Sequence, residues 1–135
     1  AIFGLTRDSG PEHLARAALE SVAYQTFDLL QAFEKDSGQK ADPIRVDGGM
    51  VANDWFVQFL ADILDTGIER PKVQETTALG AAFLAGLGAG VYKDLSEISN
   101  FWHLDRRFQP DLTKAKRENL LSGWHDAISR VKTSE

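Results

Sequence analysis

Two adjacent glycines and an asparagine are the residues in this sequence best suited to hold a ligand. In the stretch RVDGGMVANDW, Asp47 and the pair Gly48-Gly49 follow a short strand-like segment, and Asn53 comes one helical turn later. Glycine lets a backbone approach a ligand closely, and free N–H groups at a helix start attract phosphate. An asparagine amide offers a donor and an acceptor, which suits the edge of a nucleobase. The spacing therefore indicates a phosphate or nucleotide site.

The same residues also fit a purely structural interpretation. Paired glycines after a strand can form an ordinary tight turn, and this stretch has neither the GxGxxG nor the Walker pattern. Asp47 could orient a metal-bound water, or it could cap the helix that follows. Position favours the ligand, because open α/β sheets bind ligands at the carboxyl ends of their strands.

Among the other polar residues, the sequence pattern predicts no catalytic group and no metal site. His13, His103 and His125 are scattered without the spacing of metal ligands, and the serines and histidines form no recognisable nucleophile constellation. The chain has no cysteine, which excludes disulfides and thiolate metal sites and is consistent with a cytoplasmic location.

Charge and hydropathy narrow the range of partners. The net charge of −5 comes with no basic stripe, so we expect no nucleic-acid partner. No apolar run approaches the roughly 20 residues that span a bilayer, so we expect no membrane partner.

The elements that must position the glycine turn can be predicted from hydrophobic spacing. Apolar residues at helical spacing predict helices over 11–36, from about 51, from a threonine cap at 76–77, and over 111–131. Ser9 and Glu12 have the spacing of a capping box for the first of these helices. Its buried face is expected to include Leu14, Ala17, Ala18, Val22, Leu29, Leu30 and Phe33.

The predicted strands are few and short. Strands are expected over 43–47 and 66–71, and the segment 91–110 shows no sustained period and is expected to be an extended or looping segment over the surface. Helices alternating with strands favour an α/β fold with parallel strands in one domain of 135 residues. Two strands make a poor sheet, so we expect further strands beside them or, for the isolated chain, self-association into a homo-oligomer.

Four stretches resemble the C-terminal part of the FGGY carbohydrate kinases. They are GLTRDSGPEHLARAALESVAYQ, RVDGGMVAND, QFLADIL and ERPKVQETTALGAAFLAGLGAGVYKDLSEI, which follow one another in the expected order. Gly4-Leu5, His13-Leu14 and the run from Ala17 to Glu20 stand where the second signature of the family has such residues. The resemblance covers almost the whole chain.

This resemblance implies a fold and a chemistry. The fold would be α/β, of the actin-like, ribonuclease H-like ATPase type, helix-rich with short parallel strands. Residues 1–135 would form a single-domain fragment of the C-terminal, ATP-binding lobe, with 91–135 as a surface segment and a C-terminal amphipathic helix. The family transfers the γ-phosphoryl of Mg·ATP to a polyol or sugar hydroxyl, so ATP/ADP and Mg²⁺ are the implied cofactors.

The resemblance also assigns roles to single residues. Gly49 would lie against the phosphate or ribose and Asn53 near the adenine, with Gly48 and Asp47 as neighbours in the same turn. Within the family, the residues of the stretches AIFGLTR and RVDGGM favour glycerol as the acceptor. Asp54 departs from the family, many of whose members have asparagine there, and a carboxylate facing the site would weaken anion binding.

Three expectations remain open at this point. The catalytic aspartate and the acceptor site of the family lie upstream of the region that this chain resembles, so the chain alone is expected to be inactive. A pentulose or hexulose kinase is an alternative to one acting on glycerol. A non-catalytic interaction module that has kept only this lobe is another.

Overall fold

This protein, described from a computed structural model, is built around a short three-stranded sheet and the helix Asp54–Leu64. The structure describes residues 1–132, so the end of the predicted segment 91–135 lies outside it. In chain order the elements are α1 (Pro11–Ser37), β1 (Ile44–Arg45), a 3₁₀ turn (Gly49–Ala52), α2 (Asp54–Leu64), β2 (Ile68–Pro71), α3 (Thr76–Gly88), α4 (Leu95–Ser99), β3 (Leu104–Phe108) and α5 (Lys114–Val131).

The sheet is mixed, with the strand order β1-β2-β3. β1 and β2 run parallel with Ile44 opposite Ile68, as predicted, although both strands are shorter than the sequence pattern suggested. β3 runs antiparallel to β2, with Phe108 opposite Ile68. The parallel prediction therefore holds for one of the two strand pairs.

The segment 91–110 is mostly exposed, as expected, but it contains two elements that were not predicted, α4 and β3. The sequence of β3, LDRRF, does not show the pattern of a strand, because only Phe108 in it is buried. Ion pairs replace apolar contacts there: Arg107 pairs with Glu69 of β2, and Asp105 lies 2.8 Å from the Nη2 atom of Arg70. Alternating burial is the usual signal of a strand, and charged cross-strand pairs do not produce it.

The core forms where α2 crosses α1 and the sheet. α2 buries Phe56, Val57, Phe59, Leu60 and Ile63, and α1 contributes Ala23, Tyr24 and Phe27. The predicted buried face of α1 was too long, since Leu14, Leu29 and Phe33 are exposed. A helix rises about 1.5 Å per residue, so the 11 residues of α2 can cover only the middle of the 27 residues of α1.

The start of α1 differs from the predicted capping box. The N-cap is Gly10 rather than Ser9, because the helix begins directly at Pro11. His13 takes the place expected for Glu12: its Nδ1 atom accepts a hydrogen bond from the Gly10 N–H at 3.1 Å. The helix start is thus capped by a histidine side chain, which accounts for His13 structurally.

One glycine of α3 lies against an aromatic ring. A Cβ atom on Gly86 would lie 2.6 Å from the ring of Tyr92, so the glycine makes room for that ring. Tyr92 also meets Phe83 and Phe101, with ring centroids 5.7 Å apart in each case. Within residues 1–132, no helix is long and apolar enough to cross a membrane.

Stability is expected to fall in acid because of two carboxylates on this framework. Hydrogen bonds from Arg107 and from Arg70 lower the pKa of Glu69 and of Asp54 below their ordinary values of 4.5 and 3.8. Carboxylates with a lowered folded pKa stabilise the protein above the unfolded pKa, and that stability is lost as pH falls through the folded pKa. We therefore expect the Tm to decline from about pH 5 downward.

The Glu69→Gln variant tests the source of this decline. It removes one titrating group, so its Tm should depend less steeply on pH in this range than that of the wild type. Equal pH dependence in the two proteins, measured by circular dichroism, would contradict the assignment to Glu69.

Candidate functional site

The glycine pair forms a turn at the carboxyl end of β1. Beyond β1 the chain stays beside β2, because the Val46 N–H donates to the Glu69 carbonyl at 3.1 Å. The Gly48 N–H then donates to the Gln74 carbonyl at 2.9 Å. Gly48 has φ 89° and ψ 170°, a conformation that essentially only glycine adopts. The first glycine is thus required by the backbone itself.

Backbone conformation does not require a glycine at the second position, Gly49. Gly49 begins the 3₁₀ turn and its φ lies outside the left-handed range, so another residue could adopt its conformation. A Cβ atom placed on Gly48 or on Gly49 would meet no heavy atom within 4 Å. Open space therefore borders the turn on the side that a side chain would occupy, and a ligand can approach the backbone there.

Asn53 is the N-cap of α2 rather than a residue of its first turns. Its Oδ1 atom accepts hydrogen bonds from the Trp55 N–H at 3.0 Å and from the Phe56 N–H at 3.2 Å. The side chain is exposed, and both capping bonds use the oxygen, so the Nδ2 amide can donate to a ligand. Asp47 is exposed in the preceding turn, and Asn53, not Asp47, caps the helix.

Asp54 does not present a free negative charge to the turn. Its Oδ1 atom lies 2.7 Å from Nη1 of Arg70, and its Oδ2 atom lies 2.6 Å from Nη1 of Arg106. The bond from Arg70 is the main cause that lowers the pKa of Asp54. Two guanidinium groups therefore offset the carboxylate that departs from the family pattern.

Arg70 is a site residue that the sequence did not reveal. It is 8% exposed and lies in β2, where the pattern IERP gave no sign of a link to the glycine turn. Its Nη1 atom donates to the Val51 carbonyl at 2.8 Å as well as to Asp54. A buried arginine that contacts the turn is a signal that only the three-dimensional structure provides.

The side chains of His13 and His125 have structural partners, and the hydrogen bond described for His103 is made by its backbone. The His103 carbonyl accepts a bond from the Lys72 N–H at 2.9 Å. The His125 Nε2 atom lies 3.3 Å from Asp28, whose other oxygen accepts the Trp124 Nε1–H at 2.8 Å. Over the part of the chain that the structure describes, no three His, Asp or Glu side chains are grouped as a metal site requires.

Comparison with known proteins identifies the family to which the chain belongs. The family model for the C-terminal domain of the FGGY family of carbohydrate kinases matches residues 1–89. A glycerol kinase of Rhodospirillum rubrum is 58% identical over 131 residues, and one of Ectopseudomonas mendocina is 53% identical over 133. These matches cover 97% and 98% of this chain but only 26% and 27% of the two relatives.

Solved structures agree with the sequence comparison. A Plasmodium falciparum glycerol kinase crystallised with ADP superposes with a TM-score of 0.83 at 34% identity, covering 100% of this chain and 27% of that one. A ligand-bound xylulose kinase of Lactobacillus acidophilus has a TM-score of 0.72 at 28% identity, covering 97% of this chain and 27% of that one.

The chain belongs to the FGGY family of carbohydrate kinases and has the C-terminal domain of that family. Its fold is the actin-like, ribonuclease H-like ATPase fold, in a helix-rich α/β form with a small mixed sheet. The curated relatives that it matches are glycerol kinases, and the chain spans about a quarter of their length.

Proposed function

We propose that this chain is the ATP-binding C-terminal part of a glycerol kinase. The whole enzyme would transfer the γ-phosphoryl group of Mg·ATP to a hydroxyl of glycerol, giving glycerol 3-phosphate. The single observation that carries this proposal is the open backbone face at Gly48-Gly49, at the carboxyl end of a parallel strand. It occurs in a chain that is 53–58% identical to glycerol kinases over nearly its whole length.

The residues of the turn fit a nucleotide. The backbone at Gly49 can approach the phosphate or ribose because no protein atom fills the space beside it. Asn53 is held at the start of α2 by its own capping bonds, and its amide can donate to the adenine edge. Gly48 gives the turn its shape, and Asp47 is an exposed neighbour. ATP supplies the phosphoryl group, and these residues bind and orient its nucleoside part.

Metal binding and the acceptor site are expected elsewhere in the enzyme. Within the described residues 1–132, no three carboxylate or histidine side chains are grouped together. Phosphoryl transfer needs a carboxylate at the acceptor hydroxyl and donors around the phosphates. We therefore propose that the remaining part of the enzyme supplies them, that the isolated chain is inactive, and that the enzyme works in the cytoplasm.

The acceptor is the part of this proposal that needs a direct test. A xylulose kinase shares the fold at 28% identity, so a ketose is the competing acceptor. Release of ADP by the full-length enzyme should be measured with glycerol, xylulose, ribulose and erythritol at equal concentrations. We expect selective turnover of glycerol. Selective turnover of a ketose would leave the ATP site in place but refute glycerol, and no turnover with any of them would favour a binding module.

Replacing Asn53 is expected to separate its two roles. Asn53→Ser keeps a good N-cap and adds no charge but loses the amide donor, so the free energy of unfolding should change little while ATP binding weakens. A lost hydrogen bond of this kind corresponds to about 1–2 kcal/mol, or roughly a tenfold higher KM for ATP. The KM for ATP and the Tm of the full-length enzyme provide the measurement.

Asn53→Ala is the matched comparison. It removes both the cap and the donor, so it should also lower the free energy of unfolding by about 1 kcal/mol. An unchanged KM for ATP in both variants would refute the proposed contact of Asn53 with the nucleotide.

A further inference from the structure

A buried arginine connects the glycine turn to the sheet. Arg70 lies in β2, and its guanidinium is in contact with groups on three sides. Nη1 donates to the Val51 carbonyl at 2.8 Å and to Asp54 at 2.7 Å. Nε donates to Asp105 of β3 at 2.8 Å. The guanidinium carbon lies 5.3 Å from the ring centroid of Phe108, which covers it.

Hydrogen bonds attach the turn to the sheet region at both ends, and the side chain of Val51 is buried in the core. The Gly48 N–H is bound to the Gln74 carbonyl at 2.9 Å, just after β2. At its other end, the Val51 carbonyl is bound to Arg70. The space beside Gly48 and Gly49 holds no heavy atom within 4 Å of a Cβ position, so side-chain packing does not hold the glycines in place on that side. Gly49 therefore lies between Gly48, whose N–H is bound to the Gln74 carbonyl, and Val51, whose carbonyl is bound to Arg70.

We propose that Arg70 is a positioning residue for the nucleotide. By binding the Val51 carbonyl and the first residue of α2 together, it fixes the distance of Gly49 and Asn53 from the sheet. The ligand-facing backbone is then already in place before ATP arrives, which reduces the ordering that binding requires. This inference rests on the proposed nucleotide site, but it assigns to Arg70 a role that neither the motif nor the family match gives.

The choice of arginine follows from its geometry. A guanidinium is planar and directs several donors at fixed angles, so it can bind Val51, Asp54 and Asp105 at the same time. A lysine ammonium at the same position keeps the charge but cannot reach acceptors on opposite sides with the same geometry. Arg70→Lys is therefore the informative variant, since it preserves the charge and removes the simultaneous contacts.

Arg106 provides a matched control. Its Nη1 atom binds the same Asp54 at 2.6 Å, and its guanidinium lies 4.6 Å from the Phe108 ring centroid. Its described hydrogen bond reaches Asp54 and not the Val51 carbonyl, and its side chain is 55% exposed. Arg106→Lys changes the same charge cluster without removing the bond to the turn.

The test compares kinetic constants in the full-length enzyme. We expect Arg70→Lys to raise the KM for ATP roughly tenfold, with the KM for the polyol acceptor changed less than twofold. Arg106→Lys should leave both constants within about twofold of the wild type. A simple loss of stability would lower the amount of active enzyme, and hence the apparent kcat, without selectively raising the KM for ATP.

Each outcome decides between the two proposals. If Arg70→Lys folds and keeps the wild-type KM for ATP, or raises both KM values equally, the positioning role is refuted. The same holds if Arg70→Lys does not fold, because Arg70 would then serve the whole domain. If the wild-type enzyme binds no ADP by calorimetry, the proposed nucleotide site fails as well. Normal ADP binding by the wild type with an unaffected Arg70→Lys variant refutes the inference alone.

Discussion

Gly49→Val is expected to weaken ATP binding strongly while leaving the fold intact. The φ of Gly49 lies outside the left-handed range, and a Cβ atom there meets no protein atom within 4 Å, so the folded chain can accept a side chain. The same side chain would enter the space that we assign to the nucleotide. Steric conflict of this kind costs about 1–3 kcal/mol, so the KM for ATP should rise roughly tenfold to hundredfold.

Gly48→Ala is the neighbouring variant with the opposite expectation. Gly48 has φ 89° and ψ 170°, so an alanine there is strained even though space is available. Such strain costs about 1–3 kcal/mol of the free energy of unfolding. Thermal unfolding and ATP kinetics of the two variants should therefore show a loss of affinity at position 49 and a loss of stability at position 48. A stable Gly49→Val enzyme with the wild-type KM for ATP would contradict our assignment of the site.

The second large effect is expected in the core, at Phe59. This ring is 6% exposed and packs edge-to-face against Tyr24 of α1, with ring centroids 5.7 Å apart. The ring of Phe59 also stacks on the ring of Trp55, with 5.3 Å between the two centroids. Phe59→Ala removes the ring contact with Tyr24 and leaves a cavity between α1 and α2, which costs about 3–5 kcal/mol of the free energy of unfolding.

Leu29 provides the control for Phe59. It lies in α1, the helix that Phe59 of α2 packs against, but it is 72% exposed, so Leu29→Ala should change the free energy of unfolding by less than about 0.5 kcal/mol. Urea unfolding of both variants gives the comparison. Equal losses in the two variants would mean that the core does not form between α1 and α2 as described.

The helices could be predicted well because their apolar residues repeat at helical spacing. α1 was predicted over 11–36 and extends from Pro11 to Ser37. The burial of its residues was harder to predict, because the length of the partner helix decides which part of an apolar stripe is covered. Trp55 shows the same limit: it is a large apolar residue near the start of α2, and 40% of it is exposed.

β3 could not be predicted because its stability comes from partners that are distant in sequence. Arg107 and Asp105 pair with Glu69 and Arg70 of β2, and nothing within LDRRF indicates those partners. A strand with one buried residue in five has neither the alternation nor the apolar run that a sequence pattern can show.

The position of the glycine turn was predicted, but its contacts with the rest of the chain were not. The pair Gly48-Gly49 after a strand indicated a ligand turn, and the turn does lie at the carboxyl end of β1. Its attachment through Arg70 to the Val51 carbonyl joins positions 19 residues apart, so no local pattern could contain it. The capping role of Asn53 was also missed, because the 3₁₀ turn before α2 moves the helix start from about Val51 to Asp54.

Hydrogen exchange of the full-length enzyme, with and without ADP, tests the central claim most directly. If the nucleotide lies against the turn, ADP should slow amide exchange in the segment 47–53 and at the start of α2. The Gly49→Val enzyme at the same ADP concentration should lose this protection. ADP binding that is confirmed by calorimetry but leaves exchange in 47–53 unchanged would contradict the claim and place the nucleotide elsewhere.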